Sequence, residues 1–166
     1  MTIDFLRRLV VFIVLLLAQV LVFNRIQLFH CATPLLYVYF SIIFPLGYPR
    51  WAAMLWSFAM GLAIDMFSNT PGLAAASMTL IGLLQPYLLA LFAPHEPDDN
   101  VKASVSALGL GKFATLAGVL VLVYCLVFFT LEAFSFSDWL YWLQCMGGSA
   151  LLTILLILAL ESLRNK

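Results

Sequence analysis

Six apolar runs, separated by polar breaks, take up most of this chain. They cover about Phe5–Phe23, Pro34–Leu46, Trp51–Phe67, Leu73–Ala93, Phe113–Leu131 and Leu140–Leu160. A helix that crosses the hydrocarbon core of a bilayer needs about 20 mostly apolar residues. The second run, closed by Gly47-Tyr48-Pro49-Arg50, is shorter than that; the others are near it. Of the 166 residues 64% are hydrophobic and 10% charged, against roughly 25% charged in a soluble domain. The solvent for most of this surface is therefore lipid. The expected architecture is a single all-α integral membrane domain, residues 1–166, built as a compact bundle of six transmembrane helices. Arg7-Arg8 resembles the charged start of a signal peptide, but the apolar run is long and no A-x-A cleavage pattern follows, so the first span is read as uncleaved.

The bases set the orientation. With six spans, one side holds Arg7, Arg8, Arg50, Lys102, Lys112, Arg164 and Lys166, and the other holds Arg25 alone. Short loops rich in Lys and Arg stay in the cytoplasm, so both termini are expected there. Trp51, Trp139 and Trp142 fall near span ends, where indole rings favour the interface. The formal net charge is zero, and no global field points to nucleic acid.

The stretch GLAIDMFSNTPGLAAA, from Gly61 to Ala76, places Asp65 at the outer end of the third span. Counting back by fours from Asp65 gives Gly61, Ser57 and Ala53, all small and on one helix face. Small-xxx-small faces let membrane helices approach closely, since lipid supplies no hydrophobic drive and packing must supply the attraction. Asp65 therefore points at another helix. Ala74, Ala75, Ala76, Ser77, Thr79 and Gly82 continue the small-residue theme in the fourth span, Ala114 and Gly118 in the fifth, and Gly147-Gly148-Ser149-Ala150 in the sixth. Pro71-Gly72 signals a turn. Ser68 or Asn69 is placed to satisfy the carbonyl end of the third helix, and Asp65 to accept from the amides that open the fourth. An ionisable residue in a span is also a candidate partner or ion contact.

Catalytic chemistry has little to build on. The acids Asp65, Glu132 and Asp138 lie toward the outer face, but no histidine lies within a span and no Ser/Lys or Cys/His pairing is evident. There is no Gly-rich phosphate loop: Gly109-Leu110-Gly111-Lys112 resembles only a fragment of one and reads as a loop entering the fifth helix. His30, His95 and Cys31 lack metal-ligand spacing, and Cys125 and Cys145 read as small packing residues. No cofactor or metal is expected. Gln19, Ser57, Thr79, Gln85, Gln144 and Thr153 are too few for an ion pathway. The polar stretch Pro94–Lys102 reads as a cytoplasmic loop, with Asp98, Asp99 or Asn100 placed to cap a helix beginning near Val101.

The residues from Gly61 to Ala75, with Gly61, Asp65, Ser68, Pro71 and Gly72 as the fixed points, resemble the signature of the bacterial rod-shape-determining MreD family. Gln19 late in the first span and Pro34 opening the second are similar to the family too, as is the hydropathy plan of the whole chain. The chain departs from the family in a less basic second-third loop and tail, Arg50 and Arg164-Asn165-Lys166. The resemblance implies a multi-pass protein of the bacterial cytoplasmic membrane. It implies a non-catalytic scaffold that binds the bitopic partner MreC and sits with RodA, a class B penicillin-binding transpeptidase and, indirectly, MreB filaments, during lateral peptidoglycan synthesis. It also implies a bundle similar to the S components of vitamin importers, which keeps open a second expectation, a small-molecule-binding transporter subunit.

Overall fold

The computed structural model describes residues 2–22, 25, 34–69, 71–93, 105–133, 138–164 and 166. Lys102, the Pro94–Lys102 loop with its capping candidates, His30, His95 and Cys31 lie outside the described residues. Among the described residues seven helices follow in order: α1 (Thr2–Leu21), α2 (Val38–Ile42), α3 (Arg50–Ser68), α4 (Leu73–Phe92), α5 (Val105–Leu108), α6 (Leu110–Glu132) and α7 (Trp139–Arg164). The described residues contain no strand.

Four of these helices, α3, α4, α6 and α7, are long and apolar enough to cross a membrane. This is a membrane protein by that measure. α1 has 20 residues, but Asp4, Arg7 and Arg8 occupy its first two turns.

The second apolar run departs from expectation. Its helix covers only Val38–Ile42, 5 residues, or about 7 Å of rise. Proline explains the arrest. Pro45 restricts Phe44 to extended conformations and has no amide to continue the ladder, and Gly47 and Pro49 follow at once. The helix is buried on every side: all five of its residues are buried, as are Leu35, Leu36, Tyr37 and Phe44 around it.

The long helices pack in sequence around this segment. α1 lies on α3, α3 on α4, α4 on α6 and α6 on α7, while α2 touches α1, α3, α4 and α6. The core therefore joins α2 residues such as Phe40 and Ile42 to Met60 and Ile64 of α3, Met78 and Ile81 of α4, and Leu116 and Leu120 of α6. Outside, the helices present large apolar side chains, among them Leu55 and Phe58 of α3, Leu126 of α6 and Leu155 of α7.

Candidate functional site

Two buried polar constructions stand out in an otherwise apolar molecule. The first is the α3–α4 hairpin. Asp65, in the last turn of α3, is only 4% exposed. Its two carboxylate oxygens accept hydrogen bonds from the first free amides of α4: Oδ1 from Ala74 N at 2.9 Å and Oδ2 from Ala75 N at 3.0 Å. The first amides of a helix have no partner within it and carry the positive end of its dipole. One carboxylate thus answers both the missing acceptors and the charge. The turn that brings it there uses two left-handed residues. Asn69 has φ 58° and donates its backbone N–H to the Asp65 carbonyl oxygen, and Gly72 has φ 82°. Glycine takes that conformation without steric cost. Ser68 ends α3, and Pro71 is exposed in the turn.

Close approach of the two helices makes the reach possible. A Cβ added to Gly61 would lie 2.5 Å from the Ala74 carbonyl oxygen and 2.6 Å from Ala75 Cα, both backbone atoms. One at Gly82 would meet Ser57 Oγ at 2.7 Å. Ala53 and Ser57 are buried on the same face as Gly61. A shallow, open depression of about 370 Å³ borders the hairpin, lined by Leu62, Asp65, Met66, Asn69, Pro71 and Gly72.

The second construction surrounds α2, and here polar side chains from five other helices converge. Gln19 of α1 donates through Nε2 to the Pro34 carbonyl oxygen and accepts through Oε1 from Leu36 N, each at 3.0 Å. Thr153 of α7 accepts from Leu35 N through Oγ1 at 3.0 Å. Gln85 of α4 donates through Nε2 to the carbonyl oxygens of Ile42 at 3.1 Å and Phe44 at 2.9 Å. Ser57 of α3 shares a hydrogen bond of 2.7 Å with Ser41, and the Tyr124 hydroxyl of α6 is hydrogen-bonded to the Tyr37 hydroxyl. Tyr39 donates to Glu161 Oε2 at 2.7 Å and accepts from Arg164 Nη1 at 3.1 Å, while Arg164 lies 3.6 Å from the same carboxylate oxygen. Backbone that is not helical survives at membrane depth only when buried in protein that satisfies it. These side chains provide that cover at both ends of the short helix.

Sequence reading counted Gln19, Ser57, Gln85 and Thr153 as scattered polar residues and placed Gln19 and Pro34 only by resemblance. It did not connect them. The signal was present in combination: a run too short to span, and one amide or hydroxyl in most of the long ones. Thr79 bonds to the Ala75 carbonyl oxygen of its own helix, and Gln144 is exposed. Among the other acids, Glu132 and Asp138 are exposed. Cys125 is a buried free thiol, whereas Cys145 is disulfide-bonded rather than a packing residue. Cysteine spacing carries no connectivity, so sequence had no means of telling the two apart.

The fold and these two constructions define an all-helical membrane protein with an internally latched short segment. No family model, no curated protein and no solved structure matches the chain.

Proposed function

We propose that this chain is a non-catalytic membrane scaffold of the bacterial cell-elongation machinery, as its resemblance to the MreD family implies. In this reading it crosses the cytoplasmic membrane six times with both termini in the cytoplasm. The segment 34–46, with α2 at its centre, contributes to the second pass. The chain binds MreC and stands beside RodA and its class B transpeptidase, with MreB filaments below.

The observation that carries the reading is the commitment of buried polar side chains to the chain's own backbone. Asp65, Gln19, Gln85 and Thr153 all serve main-chain groups. That is the chemistry of a rigid framework. The residues that carry the resemblance, Gly61, Asp65, Gly72, Gln19 and Pro34, all fall within these two constructions. Asp65 in particular offers a small anion or polar ligand little, since both its oxygens already accept from amides, and this disfavours the transporter-subunit alternative.

The test is purification of the native protein in mild detergent, with identification of what accompanies it. Recovery with a single-span MreC-type partner is the expected result. Recovery without any such partner, or with a stoichiometric bound small molecule, overturns the proposal.

A further inference from the structure

At one end of the bundle two guanidinium groups are mounted on aromatic rings, with no ion pair to either among the described residues. Arg50, the first residue of α3, donates from Nη1 to the Tyr87 hydroxyl at 3.0 Å, and its guanidinium carbon lies 4.7 Å from the centre of that ring. Arg8 lies over Tyr48 at 3.7 Å and beside Phe44 at 5.3 Å. Tyr48 is two residues before Arg50, and its hydroxyl accepts from Trp56 Nε1 at 3.1 Å. Among the described residues the one ion pair is Arg164 with Glu161; Arg8 and Arg50 have none.

A guanidinium has five donors in a flat fork that matches the oxygens of a phosphate. Arg50 uses one on Tyr87 and is exposed, so its remaining donors face outward. Next to it Trp51 is 72% exposed, placed as an interfacial indole would be. Below Trp51 an apolar stripe runs down one face of α3 through Leu55, Phe58 and Leu62, all exposed. A guanidinium with outward-facing donors above an exposed apolar face matches one occupant: a phosphodiester head with acyl chains attached. Charge complementarity selects an anionic lipid, because both cations lie at this end of the bundle without an ion pair among the described residues, and a zwitterionic head would bring a cation of its own.

We propose that Arg50 and Arg8, with Tyr87, Tyr48 and Trp51, form a seat for the phosphate head of an anionic phospholipid, whose chains lie along the outer face of α3. The inference is independent of the scaffold assignment and holds for any partner.

The test uses the full-length protein in detergent micelles supplemented with phosphatidylglycerol, phosphatidylcholine or inorganic phosphate. Retained lipids are counted by native mass spectrometry, and the thermal midpoint is read in parallel. Phosphatidylglycerol is expected to be retained in preference to phosphatidylcholine and to raise the midpoint. Each guanidinium removed in Arg8→Gln and Arg50→Gln is expected to cut that retention about fivefold. Arg50→Lys keeps the charge without the planar fork, and is expected to lose part of the preference with an unchanged midpoint in phosphatidylcholine. It also serves as the readout should the double variant fail to fold. Lys112→Gln, at the start of α6, is expected to change nothing. Equal loss in Lys112→Gln means diffuse charge and overturns the seat, as does full retention in the Arg8→Gln/Arg50→Gln protein or in Arg50→Lys. Equal protection by inorganic phosphate overturns the lipid assignment, and retention lost only when a protein partner is stripped away assigns the cations to that partner instead.

Discussion

Asp65 illustrates how one charged residue is kept in an apolar molecule. It is buried, and both its oxygens take backbone amides of the following helix. Replacing it with leucine leaves the Ala74 and Ala75 amides without acceptors, and the expected loss is about 2–4 kcal/mol of stability. Asp65→Asn retains one accepting oxygen and is expected to lose less. Unfolding of both variants in detergent, followed by far-ultraviolet circular dichroism, orders them; an Asp65→Leu protein as stable as the parent contradicts the capping role. Gly61 is subject to a steric test. Even alanine there meets three backbone atoms that cannot rotate away, and overpacking of this kind costs about 1–3 kcal/mol. Gly111→Ala is the control, since an added Cβ there meets nothing within 4 Å. Much of this hairpin was legible in sequence because every ingredient is local. The spacing Gly61-Ser57-Ala53, the acid at the helix end and the Pro71-Gly72 turn lie within 20 consecutive residues. The cap itself could be argued from elementary helix geometry.

At the scale of elements, α2 is the part least legible in sequence. Its apolar composition suggested a span, but its hydrogen-bond partners lie far along the chain: Thr153 is 118 positions from Leu35, and Gln85 is 43 from Ile42. No local pattern encodes such pairings. Where the breaks are local the ends are legible: α4 is expected at about Leu73–Ala93 and forms at Leu73–Phe92. Loss of any single donor or acceptor should loosen the short segment before it affects the long helices. Thr153→Val removes the acceptor from Leu35 N, and Gln85→Leu removes the donor shared by Ile42 and Phe44. Each is expected to cost about 1–3 kcal/mol. Hydrogen exchange by mass spectrometry should show faster exchange in residues 34–48 while α3 and α6 keep their protection. Uniform acceleration across all helices would mean that α2 is no separate unit.

At the scale of the whole molecule, the contacts around Arg8 and Arg50 place the starts of α1 and α3 and the end of α4 at one end of the bundle. Sequence assigned that end to the cytoplasm from the distribution of bases. A cysteine introduced at either terminus is therefore expected to resist a membrane-impermeant thiol reagent in intact spheroplasts and to react after permeabilisation. Labelling of intact cells at either terminus would invert the map. The position of α2 also bears on how the molecule is made. Its clasp on α7, through Thr153 and the Tyr39–Glu161–Arg164 group, uses residues that leave the ribosome long after α2 itself, 118 positions later for Thr153 against Leu35. Until then, the newly inserted chain holds the Leu35 amide and the Tyr39 hydroxyl without these partners in an oily surrounding. A polypeptide cut short before α7 would stay unlatched, and membrane quality-control proteases would meet an open substrate where the longer chain offers a closed one.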